Sequence, residues 1–349
     1  MDNEKHDESL NAHQSTEDEI VIEIMRGDDE KAAEDKPEEH ERKDHLAKAL
    51  EGLVSESLPS RIRRFYRKHF KGKLLRTLSV LVVVALIVTL CANLVKNRNF
   101  TVTFYQVRSD KVSDNIRIAV LADLHNNEFG KKNCKLVDKI KSLHPDLIVY
   151  AGDMMMYKNK DYSVLFDLSD KLCMIAPIYA CYGNHELDQY LFKDREFTKK
   201  LKQHNVTLLS NEARDVVVGR TTLQFIAISE NTKNFDVSTN NSKPFLESLE
   251  PTNDCRICLV HYPEMFLEKL LNRDIDIAFC GHAHGGMVRL PRIGGLYSTG
   301  EGLFPKLTSG VNTMEDGTQV IISRGLGTSG ICPRINNQPE LVIVDLCWY

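Results

Sequence analysis

From residue 77 to residue 95 the chain carries no charged side chain, and residues 80–88 are aliphatic throughout. A run of this length spans ~30 Å of hydrocarbon when coiled as a helix. The segment therefore predicts one transmembrane helix and divides the rest of the chain into an N-terminal part and a larger C-terminal part. A cleaved signal peptide is disfavoured, because the apolar run starts far from the first residue and exceeds the usual hydrophobic region of such peptides. The competing reading, a buried core helix, accounts for the apolar character but not for the basic residues beside it.

The net charge of -4 averages three unlike segments. Residues 1–59 hold 19 Asp and Glu against 7 Lys and Arg, with few aromatics. Such a stretch buries too little apolar surface to offset its conformational entropy, so a disordered acidic tail is predicted. Residues 60–76 contain Arg61, Arg63, Arg64, Arg67, Lys68, Lys71, Lys73 and Arg76 and no acidic residue. Only Lys96, Arg98 and Arg108 come closely after the apolar run. This asymmetry places the tail and the basic juxtamembrane segment in the cytoplasm and the large domain, residues 98–349, outside it. Residues 77–349 balance 30 acidic against 30 basic side chains, which offers no net basic footprint for nucleic acid.

Nine cysteines bear on that topology. Cys91 lies in the span; Cys134, Cys173, Cys181, Cys255, Cys258, Cys280, Cys332 and Cys347 lie in the domain. Their scattered spacing gives no disulfide framework. Several sit in apolar runs, where a reduced thiol behaves as a small hydrophobe. Cys255 and Cys258 have the spacing of a redox pair but precede a strand end, where such a pair is not expected.

After the span, short apolar runs alternate with amphipathic stretches. Residues 116–121, 146–150, 177–182, 222–228, 256–260 and 275–280 suit buried strands, and residues 131–143 and 162–174 have helical spacing. Strand, helix and strand in succession predict an α/β domain. Further β-like runs at 319–323 and 341–346 extend the sheet core.

Most of these strands end in side chains that bind metals. The first runs into Asp123-Leu124-His125, the second into Gly152-Asp153, the third into Gly183-Asn184-His185-Glu186. Residues 256–260 end at His261, and 275–280 at Gly281-His282-Ala283-His284-Gly285-Gly286. Crevices at the carboxyl ends of strands are where α/β sheets bind ligands. Carboxylate, amide oxygen and imidazole suit Mn, Fe, Zn or Co, whereas the motifs lack the thiolates of a structural zinc site. One residue between Asp123 and His125, and between His282 and His284, would set each pair on one side of an extended chain. Five motifs in order at strand ends weigh heavily against isolated core histidines.

In these motifs the sequence resembles the calcineurin-like metallophosphoesterases, and within them a bacterial branch of membrane-anchored or exported phosphoesterases. That resemblance implies a double β-sheet sandwich flanked by helices and a centre of two divalent metal ions. Asp123, His125, Asp153 and His284 would hold one ion, and Asp153, Asn184, His261 and His282 the other, with Asp153 between them. His185 is then the catalytic candidate, acting on the transition-state oxygen or the leaving alkoxide. Branch members usually carry Thr where Ala283 stands and Gln where Met287 stands. The protein phosphatases of the superfamily continue differently after the second motif; here Asp153 precedes Met154-Met155-Met156, which disfavours a phosphoprotein substrate.

Arg289, Arg292, Arg324 and Arg334 lie beyond the last motif, and their planar donors suit phosphate. Arg289, Arg324 and Arg334 are the substrate-binding candidates. The expected activity is hydrolysis of a phosphodiester or pyrophosphate bond through a metal hydroxide, on lipid-linked or envelope substrates. A phosphomonoesterase, or a membrane sensor or scaffold that keeps a metal site without turnover, is the alternative. Sequence alone names no protein partner.

Overall fold

A computed structural model describes residues 60–157, 161–192, 194–229, 242–298, 300–328 and 333–348. The acidic tail expected over residues 1–59 lies outside them. The described residues fall into two units that divide at Val83 and Val84. Helix α1, Ser60–Lys96, begins in the first unit and gives its last turns to the second. Within it Leu75–Lys96 is long and apolar enough to cross a membrane. Among the described residues nothing covers its aliphatic side chains: Leu86 and Val88 are 65% and 60% exposed.

The remaining elements of the second unit form two six-stranded sheets with helices outside them. The strands are β1 Thr101–Arg108, β2 Ile116–Leu121, β3 Leu147–Tyr150, β4 Ile178–Ala180, β5 Val206–Leu208, β6 Glu212–Val218, β7 Thr221–Ile228, β8 Cys255–Val260 and β9 Ile277–Cys280. Four two-residue strands come next: β10 Arg289–Leu290, β11 Gly294–Gly295, β12 Tyr297–Ser298 and β13 Gly302–Leu303. The last three are β14 Gly310–Thr313, β15 Gln319–Ile322 and β16 Glu340–Cys347. One sheet runs β1-β16-β2-β3-β4-β5 and the other β14-β15-β9-β8-β7-β6. Strands β2 to β5 are mutually parallel, as are β7, β8, β9 and β15.

Alternation along each strand builds the layers. Ile118 and Val120 of β2 meet Phe225, Leu259 and Phe279 of the opposite sheet in the central core. Ala119 and Leu121, on the other face of the same strand, pack with Leu136 and Ile140 of α2 (Cys134–Leu143) and with Leu165 and Leu168 of α3 (Ser163–Leu172). On the second sheet Cys258, Val260 and Cys280 pack outward with Met265 and Phe266. The result is a double β-sheet sandwich flanked by helices. Cys255 and Cys258 therefore face opposite sides of β8, one in each core layer, and cannot pair. The described cysteines are free thiols. Burial pushes the Cys255 thiol up to about 12, so it stays protonated.

Candidate metal centre

Parallel β2, β3 and β4 end on the same edge of one sheet, and parallel β8 and β9 on the same edge of the other. The five strand-end motifs consequently meet where the two sheets adjoin. His282 N–H donates to both carboxylate oxygens of Asp123, at 3.2 and 3.1 Å, joining the motif of β9 to that of β2. The His261 Nδ1 lies 2.8 Å from the Ala151 carbonyl, so β8 is joined to β3. A ring N–H donated to a carbonyl leaves Nε2 as the free ligand atom, and His261 Nε2 lies 3.3 Å from Asp153 Oδ2.

Potential ligand atoms gather in overlapping sets: Asp123, His125 and His284; His125, Asp153 and His185; Asp153, His261 and His282. His125 Nε2 and His284 Nε2 stand 3.2 Å apart, and His282 Nδ1 and His261 Nε2 3.3 Å apart. Asn184 Oδ1 is buried with no hydrogen-bond partner, as is His125 Nδ1. Buried polar atoms are normally satisfied. A buried amide oxygen left bare fits a cation, as does the cluster of two carboxylates and four imidazoles, so the residues present suit the two-ion arrangement that the resemblance implies.

The backbone differs from the extended chain expected at the two His-containing pairs. Asp123, His125, His282 and His284 have φ of 50°, 47°, 64° and 47°, and Asp153 has 54°. The chain turns sharply after each strand, and left-handed residues, instead of strand alternation, aim these side chains inward. Glycines make room. A side chain at Gly152, itself at φ +85°, would put its Cβ 2.6 Å from His261 Nδ1, and one at Gly183 would strike Asp153.

Glu186 organises the second and third motifs together. Its buried carboxylate accepts from the N–H groups of Asp153 (2.8 Å), Met155 (3.0 Å) and Gly183 (3.0 Å). Spacing alone assigns it no such role, since nothing local announces that one carboxylate closes a turn on the neighbouring strand. His185, at the start of α4 (Asn184–Phe192), accepts the Tyr157 N–H at Nδ1 (2.9 Å). With Nδ1 held as an acceptor, the ring presents its proton on Nε2, which lies 3.9 Å from Asp153 Oδ2.

Burial holds three imidazoles neutral, the form that binds metal: His125 falls to about 4, His282 to about 3, and His284 well below its usual value. Burial, reinforced by Asp153, pushes Asp123 up to about 7. Burial works the same way on Asp153, yet the charge and hydrogen bond of His261 keep that carboxyl well below the usual range. Reciprocally, burial opposes a proton on His261, but Asp153 raises it to about 10. Burial and Asp153 lift Glu186 to about 7, against the pull of the amide donors.

The candidate substrate arginines contact the protein itself. Arg334 is buried, donates to the carbonyls of Gly327 (2.8 Å) and His284 (3.3 Å), and lies 3.2 Å from His284 Nδ1. Arg324 is paired with buried Glu340 at 2.9 Å, and Arg289 donates to the Gly285 carbonyl at 2.8 Å. Arg334 and Arg289 thus brace the turn around His284, and Arg324 ties to the start of β16. Exposed Arg292 stands at the β10–β11 turn.

Residues 116–286 match the family model for calcineurin-like phosphoesterases. Over 236 residues the chain is 28% identical to phosphodiesterase YaeI of Escherichia coli, covering 66% of this chain and 82% of that one. Metallophosphoesterase YkoQ of Bacillus subtilis is 26% identical, over 65% of this chain and 82% of its own. UDP-2,3-diacylglucosamine pyrophosphatase LpxG of Chlamydia muridarum is 24% identical, over 50% of this chain and 65% of its own.

Proposed function

Since this chain carries a calcineurin-like phosphoesterase domain and is thereby a hydrolase of phosphoric esters, we propose that it is a membrane-anchored enzyme with a two-ion centre that cleaves phosphodiester or pyrophosphate bonds in lipid-linked or envelope substrates. The observation that carries the reading is the convergence of Asp123, His125, Asp153, His261, His282 and His284, with the Oδ1 of Asn184, the residue before His185, bare and buried. The activities named for the relatives in Escherichia coli and Chlamydia muridarum support the bond class. The 22-residue apolar stretch of α1 supports the anchor.

When bound, a pair of divalent cations supplies Lewis acidity to phosphoryl oxygens and lowers the pKa of a nearby water. The protein's own groups do the rest. Asp123, His125, Asp153 and His284 would hold one ion, and Asp153, Asn184, His261 and His282 the other. Glu186 fixes the turn that presents Asp153. His185 offers an Nε2–H to the oxygen on which charge develops, because its Nδ1 is held as an acceptor by the Tyr157 amide. Protonation of the leaving oxygen by a doubly protonated ring would require that hydrogen bond to break, which favours stabilisation of the transition state over acid catalysis. His185→Ala should then keep its metals while kcat falls roughly 10²–10⁴-fold, and metal analysis beside kinetics separates this from a ligand role.

The full chain in detergent, loaded separately with Mn, Fe, Zn or Co, should hydrolyse chromogenic diesters faster than monoesters. Turnover of monoesters alone would remove the proposed bond class, and no turnover with any ion would favour a sensor. Protease added to intact cells should digest the catalytic domain and spare the tail; protection until lysis would reverse the orientation.

A further inference from the structure

Immediately after the His284-Gly285-Gly286 turn the chain forms two small antiparallel hairpins, β10 with β11 and β12 with β13. They are fastened to that turn: Leu296 N–H donates to the carbonyls of Gly286 (3.3 Å) and Val288 (2.8 Å), and Phe304 N–H to that of Leu296 (2.8 Å). Short hairpins on a soluble surface are expected to be polar. Here Leu290, Ile293, Tyr297, Leu303 and Phe304 are all exposed, Ile293, Leu303 and Phe304 by 64%, 68% and 61%. Exposed Arg292 and Lys306 flank them. Apolar and aromatic tips beside cations have the composition of a segment that lies in the headgroup region of a bilayer.

The end of α1 says what covers this surface. Asn336 N–H donates to Asn93 Oδ1 (2.8 Å), and Asn97 Nδ2 donates to the Arg334 carbonyl (2.8 Å). The same short segment runs beside the first hairpin: Ile335 bridges Val288, and Asn336 Nδ2 donates to the Arg289 carbonyl at 3.1 Å. Asn93 belongs to the apolar stretch itself. A loop bonded to the last turns of a spanning helix stands at the level where that helix leaves the hydrocarbon, and the hairpin is the next strand over.

We infer that the exposed side chains of the two hairpins, Leu290, Ile293, Tyr297, Leu303 and Phe304, form a second, non-spanning membrane contact that beds into the lipid surface beside the metal centre. This inference rests on the reading of residues 77–95 as a membrane span. The partner is the bilayer interface, and a second copy of the chain is the outcome the test must exclude.

Phe304→Trp in a Trp348→Phe background gives one reporter tryptophan in the full chain, reconstituted into phosphatidylcholine vesicles. Lipids brominated high on the acyl chain should quench it severalfold more than lipids brominated near the chain end. A companion variant, Ile293→Ser with Leu303→Ser and Phe304→Ser, should keep its rate on a soluble chromogenic diester and lose roughly tenfold on a diester presented in vesicles. An unquenched, red-emitting tryptophan in protein that floats with vesicles would overturn the inference and leave the anchor standing. Failure to float would instead remove the anchor reading, and the inference with it. Quenching absent together with a change of oligomeric state in the triple variant would assign the surface to self-association and equally overturn the inference.

Discussion

Asp153 is the residue on which most of the site's constraints converge. Its Oδ2 lies 3.8 Å from His125 Nε2 and 3.3 Å from His261 Nε2, its Oδ1 accepts the His185 N–H, and its own N–H is held by Glu186. Asp153→Asn should therefore lose more metal and activity than His125→Ala, which removes a ligand of one ion; metal content with circular dichroism checks this. The identities of these residues are legible in the sequence because each comes directly after an apolar run. Their conformations are not. Left-handed φ at non-glycine residues costs about 1–3 kcal/mol each, and it is offset by contacts such as Glu186 to three amides that only the folded chain assembles. The ionisation states carry a pH dependence. His261 is raised to about 10, and Asp123 and Glu186 to about 7. Stability from these raised groups is present at low pH and lost as pH climbs through those values. His125 and His282, lowered to about 4 and 3, contribute none: their burial costs stability as pH falls below the usual histidine range towards those values. The metal-free protein should thus melt at falling temperatures from pH 7 towards pH 10, while bound cations, replacing the His261 proton as countercharge, should flatten that decline. Calorimetry with and without metal tests it; parallel curves would contradict the assignment.

Among the elements, the interior strands are legible to within a few residues, since each is mostly apolar and largely buried. The edge strands β1, β5, β6 and β14 carry no such pattern. They share a physical reason: β6 shows Glu212, Ala213, Arg214 and Asp215 to solvent, and β5 has only three residues. Such segments become strands because a neighbour offers its hydrogen bonds, not because of their own pattern. The sequence likewise suggests Arg334 as a phosphate ligand, whereas its burial makes the loop of residues 333–337 a brace for His284. Arg334→Met should leave the Gly327 carbonyl without its donor, remove the contact to His284 Nδ1 and weaken metal affinity roughly 10–100-fold, as loss of outer contacts to a ligand does. Arg324→Met, which breaks the pair with Glu340, should lower the melting temperature with little change in metal affinity. Competition with a chelator separates the two.

For the whole molecule, local periodicity reaches an α/β domain, but the sandwich comes only through family resemblance. The order of strands explains why: β16 inserts between β1 and β2 although it lies more than two hundred residues further along, and no pattern in residues 340–347 names those neighbours. Nor does the sequence reveal how α1 joins the domain. Asn93 and Asn97 bond directly to Asn336 and Arg334, so a fragment beginning near Asn99 would lose the supports of the segment that braces His284. On the proposed anchoring and lipid-linked substrate, those bonds also fix the kind of kinetics to expect. A catalytic centre kept at constant height over a lipid plane meets its substrate by lateral diffusion, and what it senses is substrate per unit area. Adding inert phospholipid at constant bulk substrate should slow the reconstituted enzyme in proportion to the substrate's mole fraction, whereas diluting the vesicles with buffer should leave turnover per enzyme unchanged.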